Sequence, residues 1–119
     1  MSSGRAIQRT VRQSPRKMRL VADEIRGKGV NEALATLRFS KKLAARQLAK
    51  TLRSAVANAE QAALKDNAAF DADRLVVVKC LVDMGPPLKR FTAQAQGRAT
   101  PIRKRTSHVE IHVAAREEN

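Results

Sequence analysis

The chain has 119 residues, and its 24 lysines and arginines outnumber its 11 aspartates and glutamates to give a formal net charge of +13. This length predicts one domain over residues 1–119, and the charge predicts a polyanionic partner, with nucleic acid ahead of an anionic membrane surface. The only aromatic residues are three phenylalanines, which argues against aromatic stacking platforms, and a single cysteine argues against a disulfide framework. The sequence has no long apolar run and no signal segment, so neither a membrane span nor secretion is expected.

The N-terminal segment alternates between polar and apolar side chains over residues 5–12. This period predicts a short strand with Ile7 and Val11 turned inward and the arginines spread along an edge or an extended arm. A frayed basic terminus is the alternative interpretation.

A first helix is predicted to begin with Ser14 as its N-cap and Pro15 at its first position, and to end at Gly27. Its core-facing residues, at helical spacing, are Met18, Val21, Ala22 and Ile25. The first turns carry the cations Arg16, Lys17 and Arg19. Because a helix dipole disfavours cations at this end, they indicate phosphate binding, with a solvated face as the alternative.

Two further helices are predicted, a short one starting at Asn31 and a long one over residues 41–65 capped by Ser40. The inward side chains of the short helix are Ala33, Leu34 and Leu37. The apolar stripe of the long helix is Ala45, Leu48, Leu52, Ala55, Val56, Ala59, Ala62 and Ala63, and its small second half permits close approach of another element. An adjoining basic stripe without acidic partners favours an anion-binding surface and consists of Lys42, Arg46, Lys50 and Arg53.

The second half of the chain contains two predicted strands. Residues 75–82 are apolar on both pleat faces, as in a central strand, whereas residues 106–114 alternate with Val109, Ile111 and Val113 inward. The acidic connection over residues 65–73 is expected to face solvent away from the nucleic acid, and residues 116–119 form a loose tail. The fold class is therefore α+β, with three helices on a small antiparallel sheet of about three strands.

Residues 83–105, between these strands, are too long for an ordinary hairpin loop and too poor in apolar side chains to fold alone. If the flanking strands pair, two arms of this stretch would project as an extended hairpin on the order of 30 Å long. Such a basic finger needs an anionic surface to hold it.

Several ordered motifs resemble the universal large-subunit ribosomal protein twenty-two family in its bacterial form. They are SPRKMRLVAD at residues 14–23, IRGK at 25–28, AVANAE at 55–60, GRA at 97–99 and IRKRTSH at 102–108. The matches cover nearly the whole chain.

The resemblance implies a cytoplasmic structural protein that binds large-subunit (23S-type) rRNA early in assembly, as a single copy rather than a homo-oligomer and without a membrane. Its hairpin would line the nascent-polypeptide exit tunnel beside neighbouring ribosomal proteins, with macrolide antibiotics binding near the tip. The residues assigned to rRNA binding are Arg5, Arg9, Arg12, Arg16, Lys17, Arg19, Lys42, Arg46, Lys50, Arg53, Lys89, Arg90, Arg98, Arg103, Lys104, Arg105 and His108. The residues assigned to the hairpin tip are Leu88, Lys89, Arg90, Phe91, Thr92, Ala93 and Gln94.

Two other functions compete with this one. A DNA-binding architectural protein also uses basic β-fingers, with Leu88 or Phe91 as an intercalating wedge. An RNA-processing enzyme would need an acidic or histidine cluster, which the sequence does not offer, and no cofactor is expected. His108 and His112 share a strand face but lie roughly 13 Å apart, too far for one metal ion.

Overall fold

The computed structural model describes residues 3–93, 97 and 99–115, and the side chains of residues 3–89 and 104–115. In this part of the chain the elements are β1 Ser3–Val11, α1 Pro15–Ile25, α2 Val30–Phe39, α3 Leu43–Lys65, a 3-10 turn Ala72–Arg74, β2 Leu75–Met84, β3 Leu88–Ala93, β4 Ala99–Lys104 and β5 Ser107–Ala115.

The main sheet has three antiparallel strands in the order β1-β5-β2, and β3 pairs with β4 in a separate two-stranded sheet. The three helices pack with this main sheet around one apolar core, in which Ile111 of β5 lies between Ala6 of β1 and Cys80 of β2. The principal extents are 68 × 27 × 19 Å. This arrangement confirms the predicted α+β fold.

The sequence predicts the inward faces of α1 and β5 correctly. Met18 and Ile25 of α1 are fully buried, as are Val109 and Ile111 of β5. Ser14 caps α1, since its Oγ accepts a hydrogen bond from the Lys17 backbone N–H at 3.3 Å. These faces meet because a helical stripe and an alternating strand can each bury only one side.

Strand β1 corrects the predicted inward pair. Ile7 is 41% exposed, whereas Ala6 and Val11 are 6% and 5% exposed. The register shifts between Gln8 and Val11, and Thr10 adopts a φ of 55°. A bulge of this kind inserts an extra residue and changes which face later side chains occupy. Strict alternation therefore fails on one side of it.

Strand β2 was predicted to be central, but it lies at the edge of the sheet because β5 occupies the middle. Its outward side chains Val78 and Leu81 remain 55% and 43% exposed. A register shift between Val77 and Lys79 interrupts its alternation. An apolar run on both faces does not by itself identify a central strand.

Helix α3 begins two residues later than predicted. Ser40 is the C-cap of α2, and Lys42 is the N-cap of α3 without a side-chain cap hydrogen bond. Along the predicted apolar stripe, Val56 is only half-buried and Ala62 is exposed. The remaining members of the stripe are buried, namely Ala45, Leu48, Leu52, Ala55, Ala59 and Ala63.

The small residues of α3 allow a close approach to β1. A Cβ built on Gly4 would lie 2.3 Å from the Ala55 carbonyl oxygen and 2.5 Å from the Ala59 backbone nitrogen. A little further along β1, the Asn58 side-chain amide donates to the Arg5 carbonyl oxygen at 2.8 Å. Glycine at position 4 is therefore a packing requirement.

The root of the hairpin is held by buried polar side chains. Thr106 Oγ1 donates to the Pro86 carbonyl oxygen at 2.7 Å, and the Gly85 backbone N–H donates to the Thr106 carbonyl oxygen at 2.9 Å. Ser107 Oγ donates to the Gln13 carbonyl oxygen at 2.6 Å. The first two bonds join the two sides of the hairpin root, and the third ties the root to the segment between β1 and α1.

Candidate nucleic-acid interface

The basic stripe of α3 lies on the solvent side of the helix. Arg46, Lys50 and Arg53 are exposed, at positions that share one helical face. None of them forms an ion pair with any residue of the described chain. A solvated helix usually interleaves both charge signs, so this uniform face is suited to an anionic surface.

The cations of α1 do not share one role. Arg16 and Lys17 are exposed near the helix start. The Arg19 guanidinium instead donates to the Val82 carbonyl oxygen from Nε at 3.2 Å and from Nη2 at 3.1 Å. Arg19 therefore ties α1 to β2, a structural contact that spacing alone does not predict.

A cleft of about 600 Å³ lies where β1, α1 and the hairpin root meet. Its lining brings together cations that are far apart in sequence, two from the body and two from the hairpin side, namely Arg12, Lys17, Lys104 and Arg105. All four are exposed, and none forms an ion pair with a described residue. We refer to this feature as the basic cleft.

The outer face of the sheet is less uniformly basic. Arg5 Nη1 lies 3.6 Å from Glu110 Oε1, and His112 Nε2 lies 3.0 Å from the same carboxylate oxygen. Arg9 is exposed. His108 Nδ1 accepts a hydrogen bond from the Thr10 backbone N–H at 2.9 Å, so this ring supports the β1 bulge.

The hairpin arms pair from Leu88 with Lys104 to Ala93 with Ala99. The set predicted as the tip therefore runs along one arm through Ala93, because the connection between the arms follows that residue. Lys89 is exposed and pairs with Arg103 of the opposite arm, and Arg90 pairs with Ile102. The predicted residues Gln94 and Arg98 lie outside the described part of the chain.

Arg26 has a structural role that was not predicted from sequence. Its Nε and Nη2 donate to the Cys80 carbonyl oxygen at 2.9 and 2.7 Å. Asp23 pairs with the same guanidinium. Burial raises the pKa of the Cys80 thiol to about 11, although the Arg26 charge opposes the shift. The Arg-Gly turn after a helix gave no signal for this contact, because the carbonyl acceptor belongs to a distant strand.

Comparison with known proteins identifies the class of this basic protein. A family model described as ribosomal protein L22p/L17e matches residues 6–114. The chain belongs to this family. Ribosomal proteins of this family are structural proteins, so the chain is a ribosomal, RNA-binding component of translation and not an enzyme.

Three curated relatives share the chain's length and much of its sequence. The large ribosomal subunit protein uL22 of Geobacter metallireducens is 54% identical over 103 residues, covering 87% of this chain and 89% of the relative. The protein of the same name from Geobacter sulfurreducens is 54% identical over 103 residues, covering 87% and 88%. That of Desulfitobacterium hafniense is 50% identical over 118 residues, covering 99% of both chains.

The described residues offer little for other chemistry. Among them, no group of three or more His, Cys, Asp or Glu side chains is placed to hold a metal ion. No helix in the described ranges is long and apolar enough to cross a membrane. These residues do present exposed lysine and arginine side chains on α3, at the start of α1 and at the hairpin root.

Proposed function

We propose that the chain is a structural constituent of the large ribosomal subunit in the cytoplasm, and that it binds large-subunit rRNA early in subunit assembly. The observation that carries this proposal is the exposed basic stripe of α3, which forms no ion pair within the described part of the chain, together with the basic cleft. The names of the relatives, each a large ribosomal subunit protein, support the same assignment.

The mechanism rests on phosphate contacts that position the body on folded rRNA. Each Lys or Arg that neutralises a phosphate releases condensed counterions, so affinity falls with salt in proportion to the number of contacts. Such contacts fix orientation but do not read sequence. The body presents these cations on packed helices, so their spacing is set before the protein binds rRNA.

The hairpin extends this interface, and we assign it to the wall of the nascent-polypeptide exit tunnel. Strands β3 and β4 pair only with each other in the described structure, so they lack a second layer of their own. A two-stranded ribbon is marginally stable in water by itself. Contact with rRNA, a neighbouring ribosomal protein or nascent chain would supply the missing surface.

The test compares salt dependence of binding to large-subunit rRNA for two charge-matched double variants. Lys50→Gln with Arg53→Gln removes two stripe cations, whereas Arg38→Gln with Lys65→Gln removes two exposed cations outside the stripe. The first pair should flatten the slope of log affinity against log salt by roughly 1.4–1.8, and the control pair should change it little.

Two results would count against rRNA binding by the body. Equal slopes for the two double variants would mean that the α3 stripe does not contact phosphate. Equal competition by duplex DNA and by large-subunit rRNA would favour general polyanion binding. For the hairpin, a photocrosslinker at position 90 in assembled ribosomes should label rRNA or nascent chain, and labelling of neither would exclude the tunnel assignment.

A further inference from the structure

A second cavity, of about 420 Å³, opens beside the basic cleft between the start of α1 and the start of α3. Its wall contains Leu20 and Leu43, which are 56% and 60% exposed, with Lys17 and Lys42 beside them. We call it the leucine slot. Ligand pockets in proteins range from about 300 to 1,000 Å³, so the slot is large enough for a small planar group.

The leucine slot and the basic cleft are adjacent. Gln13 and Lys17 line both of them. A ligand that fills the pair must therefore carry an apolar portion next to an anionic one. Among the described residues, no acidic side chain lines either cavity.

We propose that the two cavities together bind one unstacked nucleotide of rRNA, with its base against Leu20 and Leu43 and its flanking phosphates in the basic cleft. This inference rests on the proposed function and specifies the part of the RNA that the body recognises. Paired bases in an RNA helix cannot present their faces, whereas bulges and loops can. The site therefore selects an irregular, single-stranded feature over a uniform duplex.

The backbone between the two cavities is fixed before any ligand binds. The Gln13 carbonyl accepts from Ser107 Oγ at 2.6 Å, and its N–H donates to the Val11 carbonyl oxygen at 2.8 Å. The Lys17 N–H is held by Ser14 Oγ at 3.3 Å. A preorganised site loses less entropy on binding, which favours a defined position for the bound nucleotide.

The position of the site also has a consequence for the hairpin. Lys104 ends β4 and Arg105 follows it, whereas Arg12 and Lys17 belong to the body. A phosphate held by both sides would fix the direction of the hairpin relative to the docked body. Recognition of one nucleotide and orientation of the hairpin would then be a single event.

The experiment compares Leu43→Gln with Leu64→Gln, two substitutions on α3 at side chains that are 60% and 63% exposed. Position 64 lies roughly 30 Å along the helix from position 43. Leu43→Gln should weaken binding to large-subunit rRNA roughly fivefold without changing the salt slope, because it removes apolar contact and no charge. Arg105→Gln should flatten the slope by about one, and Leu64→Gln should do neither.

Chemical probing of the bound rRNA locates the base. The wild-type protein should protect one or a few unpaired bases from modification, and Leu43→Gln should restore their reactivity while the backbone footprint stays in place. A crosslinker at position 43 in assembled ribosomes should give a product that ribonuclease destroys.

Each other outcome overturns the inference. Equal affinity of the Leu43 and Leu64 variants would show that the slot is empty of RNA, and a ribonuclease-resistant product would assign it to a protein neighbour. In both cases the wild type would still bind rRNA with its α3 salt dependence, so the proposed function would survive. If the wild type did not bind large-subunit rRNA at all, both proposals would fail.

Discussion

Lys42 occupies a position where stability and RNA binding require opposite residues. It is the N-cap of α3, with an extended backbone at φ −75° and ψ 136°, yet its side chain makes no cap hydrogen bond, and the first turn contains no acidic residue. Lys42→Asp would place a carboxylate within reach of the Ala44 backbone N–H in a conformation that already suits a cap, whereas the Ala45 N–H already donates to the carbonyl oxygen of residue 42 at 3.1 Å. Such a cap typically stabilises by 0.5–2 kcal/mol, and exchanging a cation for an anion near the helix dipole adds a few tenths.

We therefore expect Lys42→Asp to raise the free energy of unfolding by about 1 kcal/mol and Tm by roughly 3–6 °C for a domain of this size. The same change should flatten the salt slope of rRNA binding by roughly 0.7–0.9, because a phosphate contact is lost. Urea denaturation followed by circular dichroism measures the first effect, and filter binding over a salt series measures the second.

The control is Lys42→Gln, which removes the cation without supplying a good cap. The Gln variant should flatten the salt slope by the same amount as the Asp variant, while its free energy of unfolding stays within about 0.5 kcal/mol of wild type. If the Asp variant were no more stable than the Gln variant, the α3 N-cap would gain nothing from a side-chain acceptor, contrary to its geometry. An unchanged salt slope in both variants would remove Lys42 from the interface.

Three further changes test the packing that positions the interface. Gly4→Ala should lower the free energy of unfolding by about 1–3 kcal/mol in urea denaturation, because its Cβ would lie 2.3 Å from a carbonyl oxygen of α3. The control Gly29→Ala, whose Cβ would meet nothing nearer than 3.9 Å, should stay within about 1 kcal/mol of wild type. Thr106→Val leaves the buried Pro86 carbonyl oxygen without its donor and should cost about 1–3 kcal/mol in the same assay, so an unchanged midpoint would contradict the role given to this bond. Burial raises the Cys80 pKa from 9.0 to about 11, so the unfolded chain ionises first as pH rises. Relative to a Cys80→Ala variant, the wild type should lose about 2 kcal/mol between about pH 8 and 10.5 in unfolding titrations, and parallel pH curves would refute the shift.

The elements that could be predicted from sequence are those in which a single local rule suffices. Ser14 and Pro15 mark the start of α1 because both the cap and the first helical position have specific chemical preferences. The alternation of Val109, Ile111 and Val113 likewise predicts the inward face of β5 correctly. Neither prediction requires knowledge of a distant residue.

The errors arise where distant contacts override local pattern. Ile7 points outward because a bulge near Thr10, supported by His108 from the other end of the chain, changes the side-chain phase of β1. Nothing in residues 5–12 encodes that partner. The edge position of β2 follows from strand order, which hydropathy does not contain.

The candidate interface was predictable in composition but not in arrangement. Every cation of the α3 stripe was identified from spacing, and the described stripe is exposed as expected. The cleft could not be foreseen, because Arg12 and Arg105 are separated by most of the chain. They are brought together by the pairing of Val11 with Ser107 and by the Ser107 to Gln13 hydrogen bond. Arg19 shows the converse case, since its guanidinium bonds to a backbone carbonyl within the fold.

Most of the exposed cations of α3 lie in its first half. The helix begins at the leucine slot beside Lys42, spans 23 residues or roughly 34 Å, and ends at the exposed C-cap residue Asp66. An anionic polymer is attracted more strongly to the first end than to the second, where Lys65 and Asp66 carry opposite charges. Cations at the start of a helix cost stability in the free protein, and that cost is removed when phosphate arrives. Under the proposed function, the same residues that weaken the isolated fold would orient the complex.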